Sequence, residues 1–173
     1  MRVLVALLKT MRPKQWVKNV FVAAPLVFAR KVDDVPAALD CLAAVAVFCL
    51  ISGCVYVLND VVDVEKDRAH PKKKDRPIPS GKLSIRTAWT FVAVMVPLCL
   101  GAAYFLDPWV AVAAGSYFAL NVAYSFVLKN VAYLDVVSIT VGFLLRVWGG
   151  SEAIDVAPSP WLLGCTASLA ARR

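Results

Sequence analysis

The sequence predicts an all-α integral membrane protein, a bundle of about five transmembrane helices with a short apolar segment at its C-terminal end, and two observations carry that prediction. Of the 173 residues, 60% are hydrophobic and only 18% charged, whereas a soluble domain is typically about half apolar and a quarter charged. The apolar residues are also gathered into long runs, and crossing a hydrocarbon layer of about 30 Å takes roughly 20 residues of helix.

The first run, 17–29, carries Lys18 and Asn19 at its leading end, so it inserts only with those groups facing water or protein. The second, 41–58, is interrupted only by Ser52 and Gly53, with Pro36 and Asp40 marking its start. The third and fourth, 88–106 and 109–128, are joined by Asp107-Pro108, a turn too short for anything but an antiparallel hairpin. The fifth, 131–150, follows the similarly tight Lys129-Asn130. Beyond Ser151 the pattern weakens to 161–171, about 11 residues or roughly 16 Å of helix, which is half a span. Residues 3–8 are too short for a secretory signal and run into Lys9, Arg12 and Lys14, so the N-terminus is expected to be retained. The cysteines Cys41, Cys49, Cys54, Cys99 and Cys165 mostly lie in apolar runs, where a thiol behaves as a small hydrophobe. Their spacing offers neither a disulfide framework nor a zinc site. The whole chain, 1–173, is expected to be a single membrane domain, with 59–86 as a metal- and diphosphate-binding loop within it.

Positive charge sets the orientation. Arg2, Lys9, Arg12, Lys14 and Lys18 precede or open the first run. Lys66, Arg68, Lys72, Lys73, Lys74, Arg76, Lys82 and Arg86 fill the second-to-third connection, and Lys129 closes the fourth run. The opposite side holds Arg30 and Lys31. By the positive-inside rule the N-terminus and the long loop are cytoplasmic, in a multi-pass protein of a bacterial-type inner membrane. Topology and lipid headgroups account for this charge, and no nucleic-acid partner is predicted.

At the end of the second run stands Asn59-Asp60-Val61-Val62-Asp63-Val64-Glu65-Lys66-Asp67. At 100° per residue Asn59, Asp63, Asp67 and Asp60 fall at about 0°, 40°, 80° and 100°, one arc that Glu65 does not share. Three carboxylates and an amide oxygen on one face repel each other unless a cation joins them, and hard oxygen donors suit Mg2+. A bland alternative is a solvated helix end balancing the basic loop. The valines between the acids and the membrane border favour the metal, because ionisable groups at membrane depth are costly and mark function. In the basic stretch that follows, Arg68 and Arg76 are the expected partners of a diphosphate. Lys72, Lys73 and Lys74 are topological or lipid-facing, and His70, before a proline, is a bystander.

Asn59-Asp60-x-x-Asp63-x-x-x-Asp67, Arg68 and Arg76-Pro77-x-x-x-Gly81 together resemble the UbiA superfamily of intramembrane transferases. Arg12-Pro13-Lys14-Gln15-Trp16-Val17-Lys18-Asn19, with Tyr124-Ser125-x-x-Leu128-Lys129 and Leu134-Asp135-Val136, resembles the decaprenyl-phosphate phosphoribosyltransferase branch over residues 12–161. The resemblance implies transfer of a phosphoribosyl group from phosphoribosyl diphosphate to a polyprenyl phosphate, within cell-envelope biosynthesis. It implies Mg2+ on Asn59, Asp60, Asp63 and Asp67, with Asp63, Asp67 and Lys18 catalytic. Lys14, Lys18, Asn19, Arg68, Arg76, Tyr124, Lys129 and Asp135 would bind substrate, with Lys14 and Lys18, four residues apart, expected on one helix face. Tyr117, Asn121, Tyr124 and Lys129 approximate one face of the fourth helix, and Asp135 and Arg146 share a face of the fifth. For Arg146 structural pairing and acceptor-phosphate binding both stay open.

Family members carry further helices and a second polar cytoplasmic region, so the resemblance covers an N-terminal portion of the fold. A lone copy is not expected to be active, and three explanations stay open: a shortened gene product, a fragment, or a chain that needs self-association or a complementary chain. Two other readings compete: a prenyltransferase of the same superfamily acting on an aromatic acceptor, and a truncated, non-catalytic membrane protein.

Overall fold

The computed structural model describes residues 2–126 and 134–171. The described residues form eight α-helices and one 3-10 helix joined by turns and loops: α1 (Arg2–Thr10), the 3-10 helix Pro13–Asn19, α2 (Val20–Phe28), α3 (Val35–Val62), α4 (Val64–Ala69), α5 (Ile85–Leu106), α6 (Pro108–Phe126), α7 (Leu134–Ala153) and α8 (Pro160–Ala171). Among them α3, α5, α6 and α7 are each long and apolar enough to cross a bilayer. The protein is an all-α, multi-pass membrane bundle.

The predicted 17–29 span is divided. Arg12 takes a left-handed conformation (φ 52°), and Pro13–Asn19 after it wind as a 3-10 helix instead of an α-helix. Only from Val20 does the α-helix proper run, for nine residues and through Pro25. That is about 14 Å, less than half a bilayer core.

α3 is the longest element, 28 residues, or about 42 Å. It begins six residues before the predicted 41–58 run because Asp34 caps it, its Oδ1 accepting from the Ala37 N–H at 3.4 Å, with Pro36 in the first turn where a missing N–H costs nothing. α5 likewise starts at its cap, Ser84, which accepts from the Thr87 N–H at 3.0 Å. Asp107 ends α5, and its Oδ1 accepts from the Trp109 N–H at 2.7 Å to start α6, so one residue makes the predicted hairpin. α8, packed on α7, is 12 residues long, which keeps it the half-length apolar element the sequence predicts.

α3 packs against α1, α2, α5, α6 and α7. One core cluster lies mid-bundle around Val22, Phe48, Ile51, Val110, Ala113 and Tyr117. A second, nearer the basic loop, joins Met11, Val57, Leu58, Ile78, Leu83 and Ala88. Large apolar side chains such as Leu98, Phe105 and Trp161 point outward, which costs nothing where the solvent is lipid.

Candidate functional site

The end of the bundle that carries the basic loop holds two adjoining polar centres. The i→i−4 backbone bonds Asp63 N–H to Asn59 O (3.0 Å) and Asp67 N–H to Asp63 O (2.8 Å) preserve helical pitch across the junction of α3 and α4. The acidic residues therefore keep their predicted spacing, and Asp60 and Asp67, each with a side chain only 3% exposed, share one partner. Arg76 Nη1 donates to Asp67 Oδ2 at 2.6 Å and to Asp60 Oδ1 at 3.2 Å. Arg12 Nη2 donates to the same Asp60 oxygen at 2.5 Å while its guanidinium lies 5.0 Å from the Tyr56 ring centre. Lys73 Nζ stands 3.6 Å from Asp67 Oδ1. Burying carboxylates is tolerable only when they are paired in this way.

The loop's sequence explains how Arg76 gets there. Ile78 and Leu83 are almost fully buried in the second core cluster and pin the loop to α3. Between them the chain reverses, with the Gly81 N–H bonded to Ile78 O (3.0 Å) and the Leu83 N–H to Pro77 O (2.9 Å). Gly81 has φ 77° and open space around its missing side chain. The glycine is thus required by backbone, not by contact, and Gly81→Ala is expected to cost about 1 kcal/mol, read as a small fall in the detergent melting temperature with unchanged helix content.

Arg68, expected beside Arg76, points away. It pairs with Glu65 at 2.8 Å, both side chains largely exposed, and donates from Nε to Pro79 O at 3.4 Å. His70 Nδ1 accepts from the Lys72 N–H at 3.2 Å, which makes it a turn cap.

The second centre is a cavity of about 190 Å3 between the 3-10 helix, α3, α6 and α7. Lys18, Tyr56, Asn59 and Tyr124 line it, and so do Tyr117, Asn121, Ser138 and Arg146. Asn59 Oδ1 accepts from the Ser125 hydroxyl. Asp135, expected to reach substrate, accepts from the Tyr124 hydroxyl at 2.7 Å and is not part of the cavity wall. Asn19 is 1% exposed; its Nδ2 donates toward Ser52 Oγ and Cys49 Sγ, each at 3.2 Å, and its Oδ1 accepts from Arg146 Nε at 2.8 Å.

Lys14 and Lys18 do not share a face. On an α-helix residues four apart line up, but a 3-10 helix advances about 120° per residue, so four residues bring them about 120° apart. Lys18 lines the cavity and Lys14 is exposed. Lys129 lies outside the described residues. Among the described residues no three His, Cys, Asp or Glu side chains form a group able to hold a metal ion by themselves. The site residues that spacing did not single out are Arg12, Tyr56, Ser125 and Ser138. Tyr56 carried a signal, four residues before Asp60 on the same helix, and Arg12 and Ser125 stood within the motifs that carry the family resemblance.

Comparisons with known proteins agree with this architecture. The chain is 41% identical over 155 residues to the uncharacterized protein y4nM of Sinorhizobium fredii, covering 90% of this chain and 30% of that protein. It is 37% identical over 161 residues to the decaprenyl-phosphate phosphoribosyltransferase of Corynebacterium glutamicum, covering 91% and 48%. The enzyme of the same name from Mycolicibacterium smegmatis gives 37% over 161 residues, covering 91% and 51%. The chain thus spans about half the length, or less, of these curated relatives. A solved UbiA homolog from Archaeoglobus fulgidus, bound to DMAPP and Mg2+, superimposes with a TM-score of 0.80 at 18% identity over 95% of this chain and 60% of that one. Residues 19–171 match the UbiA prenyltransferase family, and the chain belongs to it.

Proposed function

We propose that this chain is the donor-binding part of a transferase that moves a phosphoribosyl group from phosphoribosyl diphosphate to a polyprenyl phosphate. One observation supports this reading above others: among the described residues the cavity beside the acidic residues is lined by eight polar side chains, two of them cationic and none a carboxylate, against the four apolar side chains of Val55, Leu120, Ile139 and Phe143. A wall of that kind suits a sugar phosphate better than a prenyl tail. The relatives named decaprenyl-phosphate phosphoribosyltransferase, similar over nine-tenths of this chain, point the same way.

On this reading Asn59, Asp63 and Asp67 supply hard oxygens toward Mg2+, and Asp60 supports them by holding Arg12 and Arg76. The donor set fits an ion completed by phosphate oxygens and water, the usual habit of magnesium; it does not fit a cage made by protein alone, since Asp60 and Asp67 already answer guanidinium groups. When bound, the metal would neutralise charge building on the departing diphosphate. Arg76 spends only Nη1 on carboxylates, so among the described residues its Nε and Nη2 donors are free for a diphosphate oxygen. Lys18 and Tyr124 face the cavity where the ribosyl group would lie. The acceptor phosphate is already an anion, so positioning, not a strong base, carries its attack. The N-terminus and basic loop would face the cytoplasm of a bacterial-type cell, and the lipid-facing end of the cavity would be completed by self-association or a complementary chain.

The test is binding of labelled phosphoribosyl diphosphate and, separately, of a prenyl diphosphate to the purified chain with magnesium. Phosphoribosyl diphosphate should bind more tightly, and Asp63→Ala should weaken it at least about tenfold. Magnesium-dependent binding that survives Asp63→Ala refutes the metal assignment, and preference for the prenyl diphosphate refutes the donor.

A further inference from the structure

Arg146 is buried, 7% exposed, in the membrane-spanning helix α7. Its Nε donates to Asn19 Oδ1 (2.8 Å), its Nη1 to Gly142 O (3.0 Å) and its Nη2 to the Tyr117 hydroxyl (2.7 Å). Every one of these partners is neutral, and among the described residues no carboxylate pairs with the guanidinium. The Tyr117 and Phe143 rings, with centres 4.4 and 5.2 Å away, offset part of the charge. A guanidinium has five N–H donors. One on Nη1 and one on Nη2 are therefore left without an acceptor among the described residues, in a side chain that forms part of the cavity wall. Charge at this depth is costly. A permanent cation with a half-used fork fits a wall that waits for an anion.

We infer that Arg146 is the binding site for a phosphate monoester. The inference rests on the transfer reading above, in which both substrates carry such a group: the donor at ribose C5 and the acceptor at the end of its lipid. The two open N–H groups on neighbouring nitrogens match a pair of phosphate oxygens, the bidentate geometry in which arginine outperforms lysine. Along α3, Asn59 is seven residues from Ser52, the level at which Asn19 and hence Arg146 are held, so the monoester site lies about 10 Å from the diphosphate end. That separation requires two different phosphates. Tyr117 and Asn19 fix the guanidinium, and Gly142, whose added Cβ would stand 3.7 Å from Nη1, keeps the approach open.

The experiment measures equilibrium binding of ribose 5-phosphate, a short-chain polyprenyl monophosphate and magnesium with inorganic diphosphate to the full chain in lipid nanodiscs. Arg146→Gln, which keeps amide bonding and removes charge, is expected to weaken one monoester about tenfold or more and to leave magnesium-diphosphate within about twofold. Loss of ribose 5-phosphate assigns the donor's phosphate; loss of the lipid monophosphate assigns the acceptor's. Arg146→Lys, which keeps the charge and loses the fork, should also bind the same monoester less tightly, and it serves if the glutamine variant does not fold. Wild type that binds neither monoester, or variants that bind both as wild type does, overturns the inference. Failure of magnesium-diphosphate binding alone would strike the acidic site and leave the Arg146 arms intact.

Discussion

Arg76→Gln should lower stability by about 3 kcal/mol and weaken the phosphoribosyl diphosphate affinity about 100-fold. Its single Nη1 answers both Asp60 and Asp67, whose side chains are 3% exposed. Removing it leaves, among the described residues, Asp67 with Lys73 at 3.6 Å, too long for a hydrogen bond, and Asp60 with Arg12. An uncompensated buried carboxylate is among the most expensive defects a fold can carry. Arg68→Gln, eight residues away, breaks an exposed pair with Glu65 and a long 3.4 Å bond to Pro79 O, and should shift stability by less than about 0.5 kcal/mol. The double variant Arg76→Gln with Asp67→Asn separates the two roles of Arg76. Taking away the second charge should restore much of the melting temperature, while donor binding stays weak, because the Nε and Nη2 donors are absent and Asp67→Asn also removes a proposed magnesium ligand. Melting in detergent and donor titration on the four proteins check this, and an Arg76→Gln protein that melts with wild type would show that the network does not hold the loop.

The contrast between those two arginines shows what the sequence could carry. Helix existence was legible wherever composition decides it: α3, α5, α6 and α7 all lie under predicted apolar runs, and Asp107-Pro108 fixed the hairpin because a turn that short has one solution. The starts of α3 and α5 were later in the prediction than in the structure, since Asp34 and Ser84 cap through side-chain oxygens before the apolar pattern begins. The acidic spacing survived because the backbone keeps its pitch through Asp63. Pairing did not follow from spacing. Arg12 meets Asp60 across 48 residues, and Arg146 meets Asn19 across 127, distances at which local periodicity carries no information. The face assigned to Lys14 and Lys18 was misplaced for a local reason, the change from 3.6 to three residues per turn over Pro13–Asn19.

The same long-range dependence makes Gly150→Ala the other large effect. A methyl group there would sit 1.8 Å from the Val22 carbonyl oxygen and 2.7 Å from its carbon, and a backbone cannot rotate aside as a side chain can. The small residue is what lets α2 lie against α7, as close-packed membrane helices require. With α2 forced outward, Val22 leaves the mid-bundle core where it is fully buried, and the cost should reach about 3 kcal/mol, the upper range for overpacking. Gly164→Ala, on α8 with nothing within 4 Å, should be neutral or slightly stabilising, since alanine favours helix. Melting of the two variants side by side separates steric conflict from any general intolerance of added bulk. The displacement also has a chemical reach: α2 continues directly from Asn19, which holds Arg146 Nε. Gly150→Ala should therefore weaken phosphate monoester binding although it adds only a methyl group to a residue outside the cavity wall, while Gly164→Ala leaves that binding unchanged. Gly150→Ala protein that binds the monoester as wild type does would uncouple the helix contact from the position of Arg146.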